Sequence, residues 1–319
     1  MFPRLRTLSA FLLLLTLLFT ATAGRCETAT VKAGLFITQL GDFDMARRSF
    51  SATFWTWFLH TDPDYDPLAT AEVVNAKADT VKFPSLDTSR GMKWHQSKHA
   101  AVLAQDWDIT HFPFDRQTLR IVIEDGQQDA DHVRFTADTA NSGVDPSVSV
   151  PGWTIEDFRI EARDRTYNTS YGDPALQGDS RYSQILATMT VKREGLRLLC
   201  SLFVGFAVAF LLAMLSFFLS FGDMAGTRIS LCAAGIFATV GNKYALDNVL
   251  PPSPTFTLAD VIVSSSFLSV LMAALAVVLI QRFHRTHPRL AFGLNAGMAL
   301  VTAAGVIGVN AYAILRAAA

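Results

Sequence analysis

Charge is what this sequence has little of. Only 17% of its 319 residues are charged, against about 25% in an ordinary soluble protein. Half are hydrophobic, and the mean hydropathy is +0.29. Together these exclude an ordinary, wholly soluble globule. A net charge of −1 excludes a strongly basic nucleic-acid binder and provides no long-range steering field. Three cysteines are too few for a disulfide-dense scaffold. Nineteen glycines and twelve prolines are ordinary, so collagen-like and low-complexity readings fall away. There is no internal repeat. A phosphate-binding loop, a GxSxG or HExxH motif and a dinucleotide fingerprint are all missing. Asp and His are plentiful but scattered. The expectation is a protein that is not an enzyme and needs no cofactor or metal.

What is present divides the chain into three. Residues 1–23 read as a signal peptide: Arg4 and Arg6, an apolar run from Leu8 to Phe19, then Ala21-Thr22-Ala23 as a small-residue cleavage site. Cys26 follows Arg25, where a lipidation site needs a small residue. Residues 24–194 hold short, alternating apolar segments, such as Leu119-Arg120-Ile121-Val122-Ile123 and Ile185 to Val191. Turn signals separate them, including Asp62-Pro63, Asp66-Pro67, Phe83-Pro84, Asp145-Pro146 and Gly172-Asp173-Pro174. Period-two alternation between frequent breakers predicts an all-β sandwich of about ten strands.

Residues 195–319 change character. Leu198–Gly222, Val261–Gln281 and Leu290–Leu315 carry no charge, and each exceeds the roughly 20 residues that cross a bilayer as a helix. A fourth stretch, Gly226–Asn248, is apolar overall yet holds Arg228, Asn242, Lys243, Asp247 and Asn248. A helix facing only lipid would not carry these cheaply; it is either shielded by other helices or faces water. Spans are expected at about 196–220, 226–248, 256–281 and 289–316. A cleaved leader puts the sandwich outside, and the four-helix bundle returns the C-terminus outside. Arg282, Arg285 and Arg289 then fall in a cytoplasmic loop, as the positive-inside bias requires. Lys192, Arg193 and Arg197 oppose that bias, which assigns them a specific structural task.

Phe112-Pro113-Phe114-Asp115-Arg116-Gln117 resembles the FPFDxQ signature of pentameric ligand-gated ion channels, the Cys-loop receptor superfamily. Thr30 to Ile37, followed by Asp42, Asp44 and Phe50 to Trp57, resemble the family's first two strands. Asn141 to Val144 and Gly152-Trp153-Thr154-Ile155 resemble its middle strands. Val191-Lys192-Arg193 resembles the segment before the first span, and Leu250-Pro251-Pro252 the connection between spans two and three. Gln105 and Leu119 stand where animal members have the bracketing cysteines, so the chain is similar to prokaryotic members, which lack that disulfide. Span one lacks the family's usual proline, and Gly226 and Thr227 replace the usual acid at the inner mouth.

The resemblance implies a homopentamer in a bacterial inner membrane, with a periplasmic sandwich that takes a small-molecule or ionic agonist and a pore that passes ions. Membrane lipid is a partner; nucleic acid is not. Placed on the family's pore helix, the lining residues are Ser230, Ala234, Phe237, Gly241, Tyr244 and Asn248, with Phe237 at the central gate. The implied coupling interface is Asp44, Phe112, Pro113, Phe114, Asp115, Arg193, Pro251 and Pro252, with Arg193 bridging Asp44 and Asp115. The implied agonist site draws on Tyr167, Tyr171 and Tyr182 around a capping hairpin, Phe135, and Trp55, Trp57 and Trp94 on the opposite face. Many strand aromatics serve only as core, and that reading stands beside this one. Asp223 and Asp247 near the mouths favour cations. Lys243 and Asp247, four apart on a helix, are expected to pair. His95 and His99 are a weak metal pair, since two ligands make no site. Cys200 and Cys232 read as packing residues. The alternative is a membrane-anchored periplasmic sensor that oligomerises without conducting.

Overall fold

The computed structural model describes residues 28–89, 91–172 and 178–318. The expected signal peptide lies outside them, as do Cys26 and most of the expected capping hairpin. Ten strands come first: β1 (Ala29–Asp44), β2 (Ser49–His60), β3 (Ala71–Val73), β4 (Ala76–Asp87), β5 (Lys93–Ala104), β6 (Arg116–Asp125), β7 (Val133–Ala137), β8 (Gly143–Val144), β9 (Trp153–Tyr167) and β10 (Ser180–Arg193). Before β3 stands a short helix, α1 (Pro67–Thr70). Asp66 caps it by accepting a bond from the Leu68 amide at 3.1 Å, and Pro67 opens it. A sequence reading that treats Asp66-Pro67 only as a breaker misses this helix, although an acid before proline is also a helix start.

The strands form two sheets. One is six-stranded, in the order β4-β5-β2-β1-β7 with β8 on β1; the other runs β3-β6-β10-β9. β2 shows why. Phe50, Ala52, Phe54 and Phe58 are buried, while Trp55 and Trp57 alternate onto the outer face. The second sheet contributes Leu119, Ile121, Ile123, Ile185, Ala187, Met189 and Val191 to the same core. Alternation at period two thus gives each sheet one inward apolar face.

Four long helices follow: α2 (Gly195–Phe218), α3 (Ala225–Asp247), α4 (Leu258–Phe283) and α5 (Pro288–Ala318). All four are long and apolar enough to cross a membrane, and they lie within a few residues of the expected spans. Thr257 and Asp260 close a reciprocal capping box at the start of α4. Half of the apolar window of α4 is buried but only 6% of that of α5. Phe292, Leu300, Val301, Ile307 and Leu315 face outward from α5, as a lipid-facing helix requires.

The apolar core runs on from the sandwich into the helices, joining Phe112 and Val191 to Phe203, Leu246 and Leu258. Gly195, the first residue of α2, lies directly beneath Pro113. A Cβ there would collide with the Pro113 carbonyl oxygen and sit 2.8 Å from the Phe114 ring. No other residue fits without displacing the turn.

Candidate functional site

The junction between sheets and helices is built on Arg193. It ends β10, directly opposite Trp153 on β9. Its guanidinium donates to both carboxylate oxygens of Asp115, at 2.7 and 3.2 Å. Both side chains are buried, at 8% and 2% exposure. The guanidinium carbon also lies 3.9 Å from the Trp153 ring centroid and 5.0 Å from that of Phe112. A planar cation fits such a slot, with a carboxylate at its edge and rings on its faces. Gln117 supports the acceptor: its amide donates to Asp115 at 2.6 Å and to the Asp108 carbonyl at 2.7 Å. The motif's aspartate, glutamine and first phenylalanine therefore act on one cation.

Asp44 is not part of this cluster. It turns back on its own loop, accepting from the Arg47 amide at 2.8 Å and lying 3.7 Å from Arg47 Nε. The expected two-carboxylate bridge is replaced by one bidentate carboxylate. The space beside Arg193 is taken by Met45, whose sulfur is 3.1 Å from Nη2. The contact to the α3–α4 connection also differs from expectation. It runs through Thr110, whose carbonyl accepts from the Leu258 amide at 3.2 Å and whose hydroxyl is 3.4 Å from that of Thr255. Pro251 is half-buried and Pro252 exposed just before it. Met45 and Arg47 of the β1–β2 turn share a cleft with Asn248 and Val249 at the end of α3. Trp107, Trp153 and Phe43, whose rings lie 5.2–6.1 Å apart, complete the node. The sequence reading gave these three no role here, though Trp107, just before the FPFD turn, is a visible signal.

The α3 helix is two-sided. Arg228, Cys232, Gly235, Thr239 and Leu246 are buried against the other helices. Ser230, Ala234, Phe237, Gly241, Tyr244 and Asn248 all fall on the opposite, exposed side. Phe237 is 77% exposed and Tyr244 74%. Lys243 and Asp247 pair at 2.6 Å as their spacing requires. Arg228 turns away from the exposed stripe altogether.

The three tyrosines do come together. Tyr167, Tyr171 and Tyr182 pack edge to face, with centroids 5.9–6.3 Å apart. Beneath them, at the end of β6, lies Glu124, which is 6% exposed. Tyr167 donates to it at 3.1 Å and Gln184 at 2.5 Å. Burial raises the Glu124 carboxyl above its ordinary range, although these two donors pull it down. Burial and the neighbouring Glu124 charge push the Tyr167 phenol up to about 12. Arg165 lays its guanidinium 5.6 Å from the Tyr167 centroid, so the tyrosine face already accepts a cation. Glu124 was missed in the sequence, where its signal was an acid closing an apolar strand.

The remaining aromatics separate. Phe135 is 4% exposed and packs on Phe58 in the core. Its assignment to a ligand site is overturned, because Val133 and Phe135 alternate inward while Arg134 and Thr136 take the outer side. Trp57 and Trp94 line a cleft of about 480 Å³ with Met92, Asp138 and Asn141. Asp138 is held by Lys32 at 2.9 Å, by Trp57 at 3.1 Å and by Asn141. Burial opposes its ionisation, but these bonds outweigh it and lower its pKa. Trp55 stands apart from that cleft, stacked on Phe83 with Lys98 over its ring. The tyrosine cage belongs to one sheet and the tryptophan cleft to the other. One chain does not unite them.

His95 and His99 do not form a metal pair. His99 bonds Asp79 at 2.7 Å. His95 instead stacks on His60, with centroids 5.1 Å apart. No ring nitrogen of His60 or His95 has a hydrogen-bond partner among the described residues. Burial, their mutual repulsion and Lys93 lower the pKa of His60 to about 4; burial also lowers that of His95. His95 lies 3.4 Å from Asp66, but a neutral imidazole makes this no ion pair. No group of metal-ligating side chains gathers among the described residues.

Compared with known proteins, the chain matches no family model and no curated sequence.

Proposed function

We propose that the chain is the subunit of a homopentameric ligand-gated ion channel of a bacterial inner membrane, with the sandwich in the periplasm. The observation that carries this reading is the two-sided α3. The least apolar of the four long helices turns one face to its neighbours and leaves Ser230, Ala234, Phe237, Gly241, Tyr244 and Asn248 uncovered. Around a common axis these become rings, and a ring of Phe237 closes the path by dewetting. Ser230 narrows the inner end and Asn248 the outer.

The agonist enters at the tyrosine cage of one subunit, where a neighbour presents its Trp57–Trp94 cleft. Three aromatic rims above the buried Glu124 carboxyl, itself hydrogen-bonded by Tyr167 and Gln184, suit a small organic ammonium ion. Binding tilts the sandwich. The Arg193–Asp115 node carries the tilt to Gly195 and α2, while Thr110 and the β1–β2 turn carry it to the ends of α4 and α3 (the two-state element is the helix ring). Asp223 and Asp247 favour cations at the mouths.

Recording purified protein in a planar bilayer under a sodium chloride gradient, across an amine and pH screen, tests this directly. Amine-evoked unitary current reversing toward the sodium potential is expected. Chloride-following reversal overturns the selectivity. Amine binding without current returns the chain to a non-conducting periplasmic sensor.

A further inference from the structure

Among the described residues, the largest fully buried side chain is a cation. Arg228, on the first turn of α3, is 1% exposed. Its Nη2 donates to Asn295 Oδ1 of α5 at 2.7 Å. Asn295, itself 7% exposed, gives its own amide hydrogen to the Phe217 carbonyl of α2 at 2.7 Å. That second bond fixes the amide, so its oxygen must face the guanidinium. The Phe221 ring centroid lies 5.4 Å from the guanidinium carbon. Nε has no partner, and no carboxylate pairs with Arg228 among the described residues. A guanidinium held by one amide and one ring is weakly compensated for its burial. Gly226, Thr227 and Ser230 around it are exposed, and a long arginine stem can swing its head to the helix end.

We propose that Asn295 is a positioning residue that latches Arg228 off the inner mouth of the pore. Through this bond the outermost helix, α5, sets the charge presented at that mouth and the position of the inner end of α3. Release of the latch turns Arg228 into the inner vestibule and adds a positive ring there. The latch itself stands on contacts within one chain; its effect on current rests on the channel reading above.

Two arms test it on the full chain in lipid nanodiscs. In the first, phenylglyoxal modification is followed by mass spectrometry. Arg228 should react about tenfold more slowly than exposed Arg282 and Arg285, as a group reached only by local opening does. Asn295→Leu should bring it close to their rate, and Asn295→Asp should restore protection. Arg228 reacting like Arg282 in the unaltered chain overturns the proposal, and so does unchanged protection in Asn295→Leu. If Asn295→Leu does not accumulate, Asn295→Ser, too short to reach the guanidinium, gives the same reading. In the second arm, Asn295→Leu should shift the reversal potential toward chloride, and adding Arg228→Gln should cancel that shift. A shift that survives Arg228→Gln comes from lost packing and contradicts the latch. An absence of current in the unaltered chain defeats the channel reading alone, because the labelling arm still decides the latch.

Discussion

Arg193 shows how a single cation is made indispensable by what surrounds it. Arg193→Ala leaves Asp115 buried without its cation, which costs about 3–5 kcal/mol where a buried pair is broken. That loss mixes stability with coupling. The combined Arg193→Met, Asp115→Asn replacement removes both charges. It should regain most of the thermal midpoint in a melting experiment while agonist-evoked current stays absent. Recovery of current with stability would show that the node only holds the fold. His60 offers a second test. Its folded pKa of about 4 lies below the unfolded 6.5, so the unfolded chain binds more protons between these values. Stability is fully present above pH 6.5 and is lost as pH falls toward 4, by on the order of 3 kcal/mol. His60→Phe should flatten urea-denaturation midpoints between pH 7 and 4.5; an unchanged slope contradicts the assignment. Single residues were unevenly legible in the sequence. The FPFD aspartate and Arg193 could be paired because both sit at fixed places in an ordered set. Asp44 could not, because a turn's direction depends on which neighbour its carboxylate finds first, and here that is Arg47.

At the scale of elements, periodicity carried most of the information. The alternation in β2 and the charge-free runs of α2, α4 and α5 fix which face or span each forms. The polar residues of α3 mark it as different before any contact is known. What periodicity did not give was close approach. Gly195 looks like an ordinary helix start, yet its hydrogen is all that fits under the Pro113 carbonyl. Gly195→Ala should cost about 1–3 kcal/mol, as overpacking does, and should weaken the response to agonist more than the stability loss explains. A concentration–response curve beside a melting curve checks both; a neutral effect on each would contradict the contact. On α3, Phe237→Ala removes the proposed hydrophobic constriction. Its expected outcome is current without agonist in bilayer recordings, whereas a still silent resting state would place the gate elsewhere.

The whole molecule exposes more apolar surface than one chain in water could tolerate. The outer faces of α2, α4 and α5 are apolar, which a bilayer answers. Phe237 and Tyr244 on α3 are exposed as well, and the proposed ring of identical helices would turn them to a shared axis. The division into sandwich and helices was readable from composition, because charge and aromatic alternation stop where the apolar runs begin. Assembly is proposed on the resemblance, since both sides of a subunit contact lie on separate copies. The measurement that tests the account most directly is cysteine accessibility along α3, in a chain freed of its native cysteines and reconstituted in lipid. Aqueous thiol reagents should reach positions 230, 234, 237, 241, 244 and 248, more readily with agonist present, and should spare 232, 235, 239 and 246. Uniform protection of the whole helix, or reactivity without that periodicity, would contradict a water-lined axis.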